Sequence, residues 1–489
     1  VYTTPSRPIV GQMALALRHG CALLPELSPR DLLMNAGVGA AIRGTLFYGT
    51  HIIRRDGLLS AVREAAHLER MPIACREAVV DRRLGAILSY ARTHVPHYRD
   101  VLPSSAIPAG GPALREWLAS APLLTKSIAL AAGDRMLSDE LAAIPHGPDS
   151  TSGSTGESFR FIQDHRDMRR MAGMFRGMVW SGASPFDRHA TLWGVDRDRP
   201  VMMSAMDRLR AWLRPNLFLS SYHLDDPGLD RCLSELIEWQ PRLLVGYSSP
   251  LACLAEHVAR TGRRVSSLGA IISSAEQLLP FQRECIQAAF GVPVFNRYGS
   301  REFACIAHEC ERHDGLHIHE GALHVEIINE AGAPCPPGVV GEIAITALFN
   351  HAMPFIRYRT GDLGSLAGEP CACGRTLSRL TDLQGRILDL VRTRSGQRIG
   401  GTFWTLLVRR ISRRILQFQL RQPDIDHIGI SMKMEGASAL SAGEEEALRA
   451  EIGRVAPDLA VELVYVDDIP LTSSGKRRFV VSMLRDAQS

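Results

Sequence analysis

At 489 residues the chain is longer than a single hydrophobic core sustains, so two or more domains are expected. Its composition, 45% apolar and 22% charged, is that of an ordinary globular protein, and a formal charge of +4 gives no electrostatic ground for nucleic-acid binding. No apolar run approaches the roughly 20 residues that span a bilayer, no secretion signal is read, and ten cysteines lack small-scaffold spacing. The expectation is a cytoplasmic protein with neither membrane nor nucleic acid as partner.

In residues 1–80, Leu32, Leu33, Val38, Ile42 and Leu46 recur in a way that predicts helices wrapping the body. Leu84, Ile87, Leu88, Ala91 and Val95 then follow the three-four spacing of one helix face, and Pro96, having no N–H, ends that helix. Pro122–Lys126 leads into another helix with Thr125 as its cap.

Asp149–Ser158 is rich in hydroxyls, holds two glycines and has no large apolar side chain. By itself it reads equally as a flexible linker or as a backbone cradle for phosphate oxygens.

Short apolar runs (Ala190–Gly194, Leu243–Gly246, Ala270–Ser273, Val292–Phe295) alternate with helical stretches Leu229–Glu238, Pro250–Arg260 and Pro280–Phe290. That alternation predicts an α/β layer with a largely parallel sheet and ligands along one sheet edge. Leu323–Ile328 and Gly341–Thr346, joined through Gly332–Gly338, predict an antiparallel subdomain. The last hundred residues form a separate unit. Leu416, Phe418 and Leu420 mark one strand, Ile428, Ile430 and Met432 a second, Glu444–Val455 a helix, Ala460–Val466 a third strand and Leu471–Lys476 a loop.

Four polar clusters follow the hydroxyl-rich loop in order: Tyr298–Glu302, Tyr358–Asp362, Gly385-Arg386 and Ser474–Lys476. Together with the loop they resemble the signatures of the adenylate-forming superfamily of acyl-CoA ligases, luciferases and peptide-synthetase adenylation domains. Leu84–Arg99, Pro122–Lys126 and Cys371–Arg375 are similar to its phenylacetate–CoA ligase branch, including relatives of capsular polysaccharide synthesis. The resemblance covers about residues 80–489.

It implies an α/β fold: a large multi-layer N-terminal domain with mostly parallel sheets and an antiparallel β subdomain, then a small mobile α+β C-terminal domain. The divisions expected are an N-terminal helical region 1–80, an ATP- and acid-binding core 81–385 and a C-terminal lid 386–489.

The activity implied is ATP-dependent conversion of a carboxylic acid, aryl or small acyl, to an acyl-adenylate, with transfer to coenzyme A. Alternatives are transfer to an amine, carrier protein or other nucleophile, and a degenerate nucleotide-binding protein. Thr151, Ser152, Gly153, Ser154, Thr155 and Gly156 are expected to hold departing phosphates. Tyr298, Gly299 and Ser300 line the adenine side, as do Ser274, Ala275 and Glu276. Asp362 takes the ribose hydroxyls, Arg386 lies near the phosphate or hinge, Glu302 holds Mg²⁺, and Lys476 bridges the attacking carboxylate and the α-phosphate. Tyr247, Ser248 and Ser273 are expected in the acid pocket. Two positions depart from the family: Arg301, where it has Thr or Ser, joins the catalytic candidates, and Leu388 replaces a charged hinge residue.

Cys310, His317, Cys371 and Cys373 make a Cys₃His set suited to closed structural zinc, with His313 an alternative ligand. The expected cofactors are thus ATP, Mg²⁺ and structural Zn²⁺, with coenzyme A as acceptor. The resemblance also implies a homodimer as one possibility for assembly.

Overall fold

The structure is a computed structural model describing residues 38–54, 57–151, 159–193, 209, 211–221, 226–386, 391–395, 398–399, 404, 407–408, 411–412, 414–436, 439–470 and 479–484. Ser152–Gly156, Leu388 and Lys476 lie outside these, and Gly385 and Arg386 are described in backbone only. No described helix is long and apolar enough to cross a membrane.

Helices open the described chain: α1 (Val38–Arg54), α2 (Leu58–Leu68), α3 (Ile73–His94), α4 (Pro96–Val101), α5 (Gly111–Ser120) and α6 (Lys126–Ala132). On α3, Leu84, Ile87, Leu88 and Ala91 are buried as the spacing requires, as is Val95 beyond its end. Each large apolar side chain on that face contributes about 1.5–3 kcal/mol. Pro96 ends α3 and also opens α4 at the first helical position, where its missing N–H costs nothing. Thr125 caps α6 by accepting from the Ile128 amide at 3.1 Å. The apolar recurrence at Val38, Ile42 and Leu46 does mark a helix, α1, but Ile42 and Leu46 are about half exposed on it, and Ala40 and Phe47 face the core. Phe47 packs with Phe175 and Phe186, aromatics that the local sequence gives no sign of.

A hairpin of β1 (His146–Ser150) and β2 (Arg160–Asp164) follows, then α7 (Arg169–Trp180). Next come β3 (His189–Trp193), β4 (Asn216–Ser220), α8 (Asp226–Trp239), β5 (Leu243–Tyr247), α9 (Ser248–Thr261), β6 (Ala270–Ser274), α10 (Pro280–Phe290) and β7 (Val294–Ser300). The remaining strands of this part are β8 (Ala304–Glu309), β9 (Leu316–Ile318), β10 (Leu323–Ile328), β11 (Gly341–Ala347), β12 (Tyr358–Leu366) and β13 (Arg379–Arg386).

The expected parallel layer and antiparallel subdomain are two halves of one eleven-stranded sheet, ordered β10-β11-β12-β13-β9-β8-β7-β6-β5-β3-β4. Pairing is parallel from β4 to β7 and antiparallel from β7 to β10. The change of sense falls at the tight β7–β8 turn, which a helical crossover cannot make. Strands β5 and β6 are buried throughout, as expected with helices α8, α9 and α10 packed beside them.

Residues 391–484 build a smaller sheet, β18-β17-β16-β19, from β16 (Ile415–Gln422), β17 (His427–Met434), β18 (Ala460–Tyr465) and β19 (Val480–Ser482), beside the short pair β14 (Val391–Arg392) and β15 (Arg398–Ile399). Helix α11 (Ala442–Val455) opens with a capping box between Ser441 and Glu444. This unit has its own core around Leu420, Ile430 and Leu448. Leu416 departs from the expected alternation: a register shift between Ile415 and Gln417 turns it outward, 47% exposed.

Candidate functional site

Two hairpins and the start of β12 meet at the carboxyl edge of the parallel strands, held by an aromatic cluster. Phe159 and Phe161 of the β1–β2 hairpin, Phe303 of the β7–β8 turn, and Phe355 with Tyr358 at the start of β12 contact one another at 5.2–6.5 Å between ring centroids. Such pairs add about 0.5–1.5 kcal/mol each beyond their burial. They bring together three sequence clusters separated by some two hundred residues. Next to them, Arg357 adopts φ 49° and spends its guanidinium on the Ala119, Ala121 and Gly332 carbonyls and on Glu326, fixing where β12 begins.

The hydroxyl-rich loop leaves from β1 and returns at β2. Thr151 N donates to Phe159 O at 2.9 Å, and Phe159 N donates to Thr151 Oγ1 at 3.3 Å, so the two residues that flank 152–158 are bonded to each other. At its base, Asp149 Oδ1 accepts from Arg301 Nη2 (2.6 Å) and Nε (3.2 Å). The main chain at Arg301 and Glu302 is held by Gln163 of β2, whose side-chain amide donates to both carbonyls at 3.4 and 3.1 Å.

Glu302 is buried, and the Tyr358 hydroxyl donates to its Oε1 at 3.3 Å. The Tyr298 hydroxyl donates to Asp362 Oδ2 at 2.6 Å, linking β7 to the middle of β12. Gly299 is required between them, since a Cβ there would run into the Ala304 carbonyl oxygen. Ser300 Oγ is buried without a hydrogen-bond partner among the described residues. Arg386 pairs with Asp362 across the β12–β13 ladder.

Beside this lie the ends of β5 and β6. Ser248 Oγ and Ser273 Oγ are 2.6 Å apart and fully buried, and the Tyr247 ring stands 4.2 Å from that of Trp193. Ser274 accepts from Arg297 Nε and donates to the Arg297 carbonyl, both at 3.1 Å. Ala275 takes a left-handed φ of 66°, which turns Glu276 so that its carboxylate receives the Ser249 amide at 2.9 Å, at the start of α9. The described nucleotide and acid-pocket candidates from β5, β6, β7 and β12 therefore lie near one another, while Lys476 and the glycines of the loop lie outside the described residues. Gln163 and Trp193 stand outside the sequence motifs, and the motifs give Asp149 and the Tyr358 hydroxyl no role of their own. Only Asp149 carried a signal, as an acid beside the loop in a chain with an unusual arginine at 301.

On the antiparallel side, the ligand atoms of Cys310, His317, Cys371 and Cys373 all lie within 4.8 Å of one another. Cys310 Sγ is 3.8 Å from Cys371 Sγ, and Cys373 Sγ is 3.3 Å from His317 Nε2. His317 Nδ1 faces the Leu377 carbonyl at 3.3 Å, which leaves Nε2 as the donor atom toward the thiols. Burial pushes the Cys310 thiol up to about 12 and His317 down to about 4. Burial also raises Cys373, but the Arg375 amide and guanidinium outweigh it and its pKa falls below the ordinary value. Three thiols and a neutral imidazole at this spacing fit a tetrahedral zinc ion. His313 is not part of the set; its backbone is left-handed at φ 52° and its Nδ1 lies 3.0 Å from Glu309 Oε2. The arm carrying Cys371 and Cys373 is tied to the end of α2, where Thr376 N donates to Glu69 O at 2.8 Å.

Residues 391–483 match the family described as the CapK C-terminal domain. Protein CapK of Staphylococcus aureus is 24% identical over 347 residues, 68% of this chain and 74% of that protein. The phenylacetate-coenzyme A ligase of Thermus thermophilus is 25% identical over 453 residues, 85% of this chain and 98% of that protein. The crystal structure of 2-hydroxyisobutyryl-CoA ligase in its postadenylation state shares the fold, with a TM-score of 0.68 at 21% identity over 85% of this chain and 91% of that one. In sequence the chain is thus similar to phenylacetate–CoA ligases and to CapK, and its fold is that of an acyl-CoA ligase.

Proposed function

We propose that the chain is an AMP-forming acid–coenzyme A ligase: it activates a carboxylic acid with ATP and passes the acyl group to a thiol. The observation that carries this reading is the 2.6 Å bond from Tyr298 to Asp362, which fixes an aromatic face and a carboxylate side by side at a sheet edge. In this reading the Tyr298 ring stacks on adenine and Asp362, oriented by the Tyr298 hydroxyl, accepts from both ribose hydroxyls. Glu302, on the next turn, is the carboxylate that holds Mg²⁺; the ion would supply neutralisation of phosphate charge. The bonds between Thr151 and Phe159, which flank residues 152–158, suit a segment that receives the departing pyrophosphate. Arg301 adds a fixed positive charge at that loop's base, and Lys476 attends the bond between acid and α-phosphate. Buried Ser248, Ser273 and the Trp193–Tyr247 pair form the wall of the acid pocket. The Cys₃His set holds zinc as a structural clasp between the β9 and β13 region and the arm before it, away from the chemistry.

The relatives support coenzyme A as acceptor: the Thermus protein is named for that reaction, and a related crystal structure contains both 2-HIB-AMP and CoA. The test is AMP formation with a panel of carboxylic acids, with coenzyme A and then amines added. Acceleration by coenzyme A supports the thiol; acceleration by amines alone refutes it. Lys476→Ala is expected to lower adenylate formation by orders of magnitude, and a near-normal rate would remove the role given to that lysine.

A further inference from the structure

We propose that Arg297 sets the substrate class: the acid that is activated carries a second carboxylate, and the Arg297 guanidinium binds it. The inference rests on the ligase reading above and names the kind of acid its pocket takes.

Tyr247 of β5, Ser274 of β6 and Arg297 of β7 are register partners, so their side chains form one row on one face of the sheet. Two residues earlier the same face carries Val245, Ile272 and Phe295, an apolar row packed with Met178 of α7. The polar row thus starts where the core ends, beside the Trp193–Tyr247 pair of the acid pocket. Ser274 fixes the arginine in place: its hydroxyl accepts from Nε and donates to the Arg297 carbonyl, both at 3.1 Å. Neither Nη has a hydrogen-bond partner among the described residues, and both stay open to solvent. Because Arg297 directly precedes Tyr298 in β7, strand alternation turns it to the face opposite the adenine-side ring.

No described carboxylate pairs with Arg297. Glu276 receives the Ser249 amide, Glu302 the Tyr358 hydroxyl and Glu309 the Arg283 guanidinium. His308, the register partner on β8, is an imidazole and brings no negative charge. Cys305 lies close enough to act on Arg297, but burial pushes that thiol up to about 11, so it stays neutral. Arginines that serve the structure are matched instead: Arg176 meets Glu69 at 2.5 Å, Arg283 meets Glu309 at 2.6 Å and Arg357 meets Glu326 at 3.2 Å. A guanidinium drawn out of water without a counter-ion costs stability, and a ligand that supplies the counter-ion recovers it. With Nε held by Ser274, the two Nη groups form the end of the fork that takes a carboxylate in two parallel bonds. One carboxylate held there while another reaches the α-phosphate makes the substrate a dicarboxylic acid.

The test is acid-dependent pyrophosphate release by the full chain, with pairs of acids in which a methyl replaces the second carboxylate. Malonate is set against propionate, succinate against butyrate, and a benzene dicarboxylate against the matching methylbenzoate. The wild-type chain is expected to favour the dicarboxylate of at least one pair by roughly 100-fold in kcat/KM, the worth of a partly buried charge pair. Arg297→Met keeps the length and removes the charge, and is expected to abolish or reverse that preference, while Arg297→Lys retains part of it. Without ligand, Arg297→Met is expected to denature at the same temperature as wild type or higher, because an uncompensated charge has gone. A lowered midpoint with an unchanged preference would make the arginine structural and overturn the assignment. Wild-type protein that uses the methyl acids as well as the dicarboxylates would also overturn it, leaving the ligase reading intact. Release with no acid at all would overturn both.

Discussion

The hydroxyl of Tyr298 can be removed without touching its ring, which separates orientation of Asp362 from stacking. Tyr298→Phe deletes an O–H···O⁻ bond of 2.6 Å, short enough to be charge-assisted. Bonds to ionised groups contribute about 1.5–3 kcal/mol, and because both partners are only half-buried the lower end applies. At 1.36 kcal/mol per factor of ten, about 1.5 kcal/mol is roughly a tenfold rise in the KM for ATP, with kcat changing less because the ring remains. The assay is acid-dependent pyrophosphate release across an ATP titration. Asp362→Ala raises the same KM further, and adding Tyr298→Phe to it then has little additional effect, because the two changes report one interaction. An unchanged ATP KM in Tyr298→Phe, or full additivity with Asp362→Ala, would refute the claim that this bond orients a ribose-binding carboxylate.

The Cys₃His set predicts about one zinc per purified chain by elemental analysis, lost in Cys371→Ser together with a lower denaturation midpoint; a metal-free wild-type protein of full stability would dismiss the clasp. Burial pushes His189 down from its ordinary 6.5 to about 4, with Nε2 3.0 Å from the Ser184 carbonyl. The folded pKa lies below the unfolded one, so this contribution is complete above pH 6.5 and is lost as pH falls toward 4, on the order of 3 kcal/mol at the acid end. Urea midpoints at pH 7 and pH 5 should differ more for wild type than for His189→Gln. Gly299→Ala forces a side chain into the Ala304 carbonyl and is expected to cost about 1–3 kcal/mol or more by overpacking. A midpoint equal to wild type would show that the β7–β8 turn is looser than described.

Where the sequence pattern reports a single element's own burial, the structure agrees with it closely. The α3 face, the α10 limits at Pro280 and Phe290, and the alternation of Ile428, Ile430 and Met432 all follow from periodicity, because each side chain's environment is set by its own spacing. What depends on a partner was not legible. Ile42 and Leu46 look like the inner face of α1 until Phe175 and Phe186, more than a hundred residues later, claim the other side. The continuity of the eleven-stranded sheet rests on β7 pairing with β8 and β9 with β13, which no local pattern encodes. Leu416 fails because a bulge changes which residue faces inward.

The site divides in the same way. Motif residues such as Tyr298 and Asp362 were recognisable by type and order. Their mutual bond, the Tyr358 hydroxyl on Glu302 and the Arg301–Asp149 pair are products of chain reversal at the two hairpins. The zinc set was readable as four residues of the right chemistry. Its choice of His317 over His313 follows from strand β9, which carries the first into the cluster while the turn before it carries the second away.

The most direct test of the central claim is exchange of labelled pyrophosphate into ATP, measured with a panel of aryl and small aliphatic carboxylic acids and without coenzyme A. Attack of the acid on the α-phosphate predicts exchange that depends on one class of acid and is abolished in Lys476→Ala. ATP turnover that yields ADP and phosphate, or no exchange with any acid, would contradict it.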